Sequence, residues 1–197
     1  DDVIWSTSTQ KGLQGGCIGR MAALDAGFDI KASGMTLDRF CGGGITTVAL
    51  AAAQIMSGME DLVIAGGTEM MSLTAAMAAQ EQAAGLPQLG MGSGNARLRA
   101  RHPQSHQGVC GDAIATMEGI TRADVDALGL ESQKRAARAI AEGRFARSVV
   151  PVYNDDGSIA LDREEFPRPE TTAEGLAALK PSFAMIADLP LDEQGTT

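Results

Sequence analysis

Cys41 is followed by three glycines, Gly42-Gly43-Gly44, and then by an apolar run that begins at Ile45. Before it, Met35 to Phe40 alternates apolar and polar residues as a strand does. A cysteine on a strand-to-helix turn lies at the positive end of a helix, where backbone N–H groups stabilise a thiolate. Three glycines leave room for a bulky substrate to reach the sulfur, and their N–H groups could hold an oxyanion. The chemistry on offer is nucleophilic attack on a carbonyl, with the acyl group carried on sulfur. The residues alone leave a second reading open, a small buried thiol ahead of a glycine-rich loop.

Other reactive side chains are sparse. His106 and Cys110 stand four apart, a spacing open to a metal pair or a Cys–His dyad. Two ligands without a third make a poor metal site, so no metal is expected and Cys110 reads as packing. His106 by itself is open to a surface role in a Gly/Ser-rich loop, and His102 reads as surface. Arg168 suits phosphate through its planar, permanently charged donors, or is an ordinary solvated arginine. Lys134, Arg135, Arg138, Arg144 and Arg147 form a basic cluster, read as a solvated helix face with a Glu131–Arg135 pair at i,i+4. Gly66-Gly67 follows a strand, yet neither GxGxxG nor GxxxxGK[ST] is present, so a nucleotide loop is excluded. Cys17 receives no role.

The elements that must position Cys41 are read from the surrounding pattern. Val3 to Ser6 reads as a strand, and Ile18 to Ala26 as a helix stopped at Gly27. Ile45 to Met56 is apolar almost all round and predicts a buried helix ended by Gly58. Asp61 to Ala65 reads as a core strand. This strand–helix–strand alternation predicts an α/β layer with a mainly parallel sheet. Residues 73–111, rich in Ala, Gly, Gln and Ser, show only weak periodicity. Thr121-Arg122-Ala123-Asp124 is a capping-box pattern opening a helix to about Glu142. Residues 148–170, with Pro151, Asn154-Asp155-Asp156-Gly157, Pro167 and Pro169, suit surface strands and turns. The expected boundary lies near residue 73, separating a core segment at 1–72 from a second module at 73–197.

The whole chain narrows the classes. A formal net charge of -9 argues against a nucleic-acid role, since a phosphate backbone needs a compensating basic surface. Three cysteines at 17, 41 and 110, without CxxC spacing, argue against a disulfide framework and fit a reducing, cytoplasmic setting. The apolar runs look too short to cross a bilayer, so no membrane partner is expected. The chain opens on Asp1-Asp2-Val3-Ile4 and closes on Gly195-Thr196-Thr197, and both ends read as cut from a longer protein.

Asp38-Arg39-Phe40-Cys41-Gly42-Gly43-Gly44-Ile45, a small-residue helix, and then Val63-Ile64-Ala65-Gly66-Gly67-Thr68-Glu69-Met70-Met71-Ser72 resemble the signature of the thiolases. His106-Gln107-Gly108, Ser132-Gln133-Lys134, Gly143-Arg144-Phe145, Val149-Val150-Pro151 and Arg168 through Leu179-Lys180-Pro181-Ser182-Phe183 follow in the same order. Gly43 stands where the family usually has Ser. The resemblance implies a thiolase-like layered α/β fold, with residues 1–72 part of the N-terminal half and 73–197 a coenzyme-A-binding insertion. It implies acyl transfer between coenzyme A thioesters, as in acetyl-CoA acetyltransferase or 3-ketoacyl-CoA thiolase, with Cys41 the acyl carrier, a chemistry of fatty acid metabolism. It places His106 by the pantetheine or acyl end, Arg168 near the nucleotide part and Leu98 in the apolar wall for pantetheine. Acyl-CoA is then substrate, with no resident cofactor or metal, and a homo-oligomer, dimer or tetramer, is implied. The family's second half, which supplies a catalytic His and an acid/base Cys, has no counterpart in these residues. A catalytically incomplete coenzyme-A-binding fragment and a ketoacyl-synthase relative are the rival readings.

Overall fold

The computed structural model describes residues 1–86, 94–102 and 105–188, and the closing Gly195-Thr196-Thr197 lies outside them. The chain divides into two compact units, Asp1–Leu89 and Gly90–Thr197.

The first unit is built on strand β1 (Asp2–Ser6). It lies between β2 (Ser33–Leu37) and β3 (Val63–Gly67), in the order β2-β1-β3 with both pairings parallel. Parallel neighbours need crossover connections. Helix α1 (Ile18–Asp25) joins β1 to β2, and α2 (Gly43–Ser57) joins β2 to β3. Side chains alternate across a strand. Trp5 therefore meets α1, where Gly19 packs at its Cβ, while Ser6 and Asp2 face α2 through Gly43 and Gln54. The two helices thus cover opposite faces. Val3, Ile4, Ala23 and Ala51 are the buried apolar side chains here. The sheet's parallel order agrees with the sequence reading. β2 ends at Leu37, earlier than expected, because the chain turns at Asp38 to Phe40. β3 runs through Gly66 and Gly67, which pair with Trp5 and Ser6 instead of leaving the sheet.

Helix α2 departs from the sequence expectation. Only Gly43, Thr47 and Ala51 are buried, a stripe at i, i+4 and i+8 laid on the sheet. Ile45 is 81% exposed and Met56 87%. One face is covered by β1 and β3, and the rest of its apolar surface has no cover among the described residues. The stretch Phe40–Ser57 spans 18 residues and is long and apolar enough by length and composition to cross a membrane. That corrects the expectation that every apolar run is too short, since threonine and glycine interruptions left the run looking broken.

Helix α3 (Met71–Ala83) closes the first unit, tied back by a Lys11–Glu81 ion pair at 2.9 Å. The boundary expected near residue 73 falls inside this helix. The second unit holds α4 (Ala96–Arg101), α5 (Gln107–Met117), α6 (Arg122–Ala141), the antiparallel pair β4 (Val152–Tyr153) and β5 (Ile159–Leu161), and α7 (Ala173–Ala177). α6 starts on the anticipated capping box: Thr121 N donates to Asp124 Oδ2 at 2.8 Å, and Asp124 N donates to Thr121 Oγ1 at 3.3 Å. α6 also holds α7, since the Arg122 guanidinium donates to the Leu176 carbonyl at 2.7 Å.

Candidate active site

Cys41 sits in a single 3₁₀ turn, Phe40–Gly42, immediately before α2, and its side chain is exposed. Three local devices shape that turn. Asp38 Oδ1 accepts from Phe40 N at 2.8 Å, a side chain mimicking a backbone turn. Phe40 has φ +47°, the one described non-glycine residue in the left-handed region. That conformation costs a side-chain-bearing residue about 1 kcal/mol or more and persists where its surroundings over-determine it. Gly43 then lets α2 approach β1, because a Cβ there would lie 2.8 Å from Ser6 Cβ and closer still to its hydroxyl.

The glycine N–H groups are partly committed. Gly42 N donates to Arg39 O at 3.1 Å, and Gly43 N donates to Phe40 O. Both hold the turn together, so these two N–H groups are already engaged and do not serve as the oxyanion donors expected from this loop. Inside α2, Thr46 and Thr47 hydroxyls turn back onto the carbonyls of Gly42 (3.0 Å) and Gly44 (2.9 Å).

The segment that leaves β1 is held against the turn. Thr7 N donates to Leu37 O at 3.1 Å, and Thr68 N donates to Ser6 O at 2.9 Å. Sequence reasoning gave no role to Glu69, which gathers hydrogen bonds from Thr7, Ser8, Thr9 and Gln14. Partial burial pushes its carboxyl up, but the bonds from Ser8, Gln14, Thr9 and Thr7 outweigh this and hold it below its ordinary value. These partners lie 55 to 62 residues away in the chain, beyond any local sequence signal.

The remaining cysteines differ from Cys41. Cys17 precedes α1 and its thiol donates to Gly34 O at 3.3 Å. Cys110, on α5, is half-buried. No group of three or more His, Cys, Asp or Glu could hold a metal ion among the described residues.

Leu98, His106 and Arg168 belong to the second unit, Cys41 to the first. His106 is the N-cap of α5, not a free loop residue, and its Nδ1 accepts from Gly108 N at 3.1 Å. With Nδ1 used as acceptor, the neutral imidazole carries its proton on Nε2. The His106 ring lies 5.2 Å from that of Phe183, tilted by 47°. Phe183 packs its ring against Gly108, so two sequence motifs far apart in the chain meet here. Leu98 lies on α4, whose N-cap Asn95 accepts from Leu98 N at 3.0 Å. Arg168 has its backbone N–H fixed on Gln133 Oε1 at 2.7 Å, leaving the guanidinium exposed.

Residues 1–186 match the family model described as Thiolase, N-terminal domain. A β-ketoadipyl-CoA thiolase of Acinetobacter baylyi is 36% identical over 190 residues, covering 91% of this chain and 47% of the relative. An acetyl-CoA acetyltransferase of Escherichia coli is 36% identical over 191 residues, covering 93% and 48%. A β-ketoadipyl-CoA thiolase of Pseudomonas knackmussii is 37% identical over 190 residues, covering 92% and 47%. The chain spans about half the length of the curated relatives it matches.

Proposed function

Because this chain belongs to the thiolase family, we propose that it carries the nucleophile of an acyl transfer between coenzyme A thioesters. The observation that supports this most is Cys41: an exposed thiol on a tight turn at the N-terminus of the 15-residue helix α2. The Cys41 thiolate attacks the thioester carbonyl, the bond from that carbon to the coenzyme sulfur breaks, and coenzyme A leaves as a thiolate that takes up a proton. The acyl group stays on Cys41. A second acyl-CoA loses an α-proton to a general base, the role the resemblance gives to a Cys of the family's second half. Its enolate attacks this carbonyl, forming a carbon–carbon bond and releasing Cys41 thiolate and a 3-ketoacyl-CoA. Thiolysis is the reverse. The scheme calls on no metal and no resident cofactor.

His106 and Phe183 offer an apolar, hydrogen-bonding surface suited to the pantetheine arm, Leu98 adds apolar wall, and the exposed Arg168 guanidinium suits a coenzyme phosphate. Family membership replaces the ketoacyl-synthase alternative. A second reading concerns these 197 residues by themselves, which span 47% of the Acinetobacter baylyi relative: binding without turnover. Incubation with acetyl-CoA followed by peptide mapping tests the proposal. An acetyl group on Cys41, absent in Cys41→Ser, is expected; a folded protein that acquires none contradicts it. Steady thiolysis of acetoacetyl-CoA by this chain alone would overturn the incomplete-fragment reading.

A further inference from the structure

We infer that Glu69 is a positioning residue for Cys41, acting through the segment Ser6 to Thr9; this rests on the acyl-transfer reading above. Glu69 follows the C-terminal end of β3, at the same end of the parallel sheet as the Cys41 turn. Its Oε2 accepts from Ser8 N at 2.7 Å, Thr7 Oγ1 at 3.2 Å and Thr9 N at 3.3 Å. Its Oε1 accepts from Gln14 Nε2 at 2.9 Å. Gln14 is itself 3% exposed and grips both sides of the junction, donating to Thr9 O at 2.9 Å and accepting from Met70 N at 3.1 Å.

From this knot the contacts lead to the nucleophile. Thr7, 2% exposed, donates its backbone N–H to Leu37 O, the last residue of β2 before the Cys41 turn. Ser6 packs its side chain on Gly43, the first residue of α2. The segment is therefore clamped between Glu69 on one side and the two flanks of the Cys41 turn on the other. All four groups that Glu69 satisfies point hydrogens at it. Only an acceptor at both oxygens serves them, which an ionised carboxylate provides and an amide does not. The carboxyl's lowered titration keeps it in that form at neutral pH.

The test is iodoacetamide labelling of the full chain at neutral pH, resolved by peptide mapping, with Cys110 in the second unit as internal reference. In the wild type Cys41 labels fastest. Glu69→Gln keeps the volume but presents an NH₂ to donors, and should slow Cys41 by about threefold or more, the worth of a helix N-terminus to an anion. Thr7→Val, which removes one donor without changing shape, should slow it by a smaller factor. A role confined to filling space would survive Glu69→Gln. An unchanged Cys41 rate in Glu69→Gln, with the wild-type order intact, overturns the positioning role alone. A wild-type Cys41 no faster than Cys17 overturns the nucleophile reading instead. Should Glu69→Gln unfold the first unit, seen as lost helical signal by circular dichroism, Thr7→Val decides, and an unchanged Cys41 rate there overturns the inference.

Discussion

At the scale of single residues, the turn around Cys41 is set by what its neighbours lack as much as by what they carry. Gly43 has no room for a Cβ against Ser6, so Gly43→Ala must push α2 away from β1 or bend the turn. Overpacking of this kind costs about 1–3 kcal/mol, which urea denaturation should show, and Cys41 labelling should slow with it. Glu69 brings a pH dependence. Its carboxyl titrates lower in the folded chain than in the unfolded one, so its contribution is complete above the unfolded value and is lost as pH falls through the folded value. The denaturation midpoint should therefore drop below about pH 4.5 more steeply in the wild type than in Glu69→Gln. Parallel curves would show that the carboxylate is not the titrating acceptor. Cys41 was legible in the sequence because a cysteine before three glycines is a local pattern. Glu69 was not, since its partners are far along the chain and only the sheet brings them near.

At the scale of elements, local signals and long-range packing separate cleanly. β1, α1 and α6 could be read directly: two apolar runs of the right period, and a capping box whose two reciprocal bonds form as expected. Thr121→Ala removes that cap and should cost about 1 kcal/mol, seen as earlier melting of the second unit. α3 and α5 escaped notice because Ala, Gly, Gln and Ser carry almost no apolar periodicity, even where the chain is helical. His106 shows the same limit, since its capping of α5 depends on a helix the pattern did not reveal. Gly66 and Gly67, read as following the strand, are its last residues, and the Trp5 indole fills the space that a side chain at Gly66 would need. Gly108 works similarly under Phe183, where a Cβ would fall 2.6 Å from the ring's Cδ2. Gly108→Ala should displace Phe183 and weaken coenzyme A binding by calorimetry, with the first unit unaffected.

At the scale of the whole molecule, the chain is two compact units and about half the length of its matched relatives. α2 presents Ile45, Val48 and Met56 to solvent on the helix that follows the Cys41 turn. Exposed apolar area of this kind drives association, so the chain alone should self-associate at micromolar concentration, and Ile45→Glu should reduce this without lowering its melting temperature. Sedimentation checks it; a dispersed wild-type monomer would mean that the face needs no cover. The central claim is that Cys41, and neither Cys17 nor Cys110, accepts the acyl group. Competitive alkylation with and without prior acetyl-CoA tests it most directly. Cys41 should label fastest, and acetyl-CoA should block that labelling while leaving Cys17 and Cys110 unchanged. Labelling of Cys41 that is no faster than that of Cys17, or that acetyl-CoA leaves untouched in folded protein, would contradict the claim.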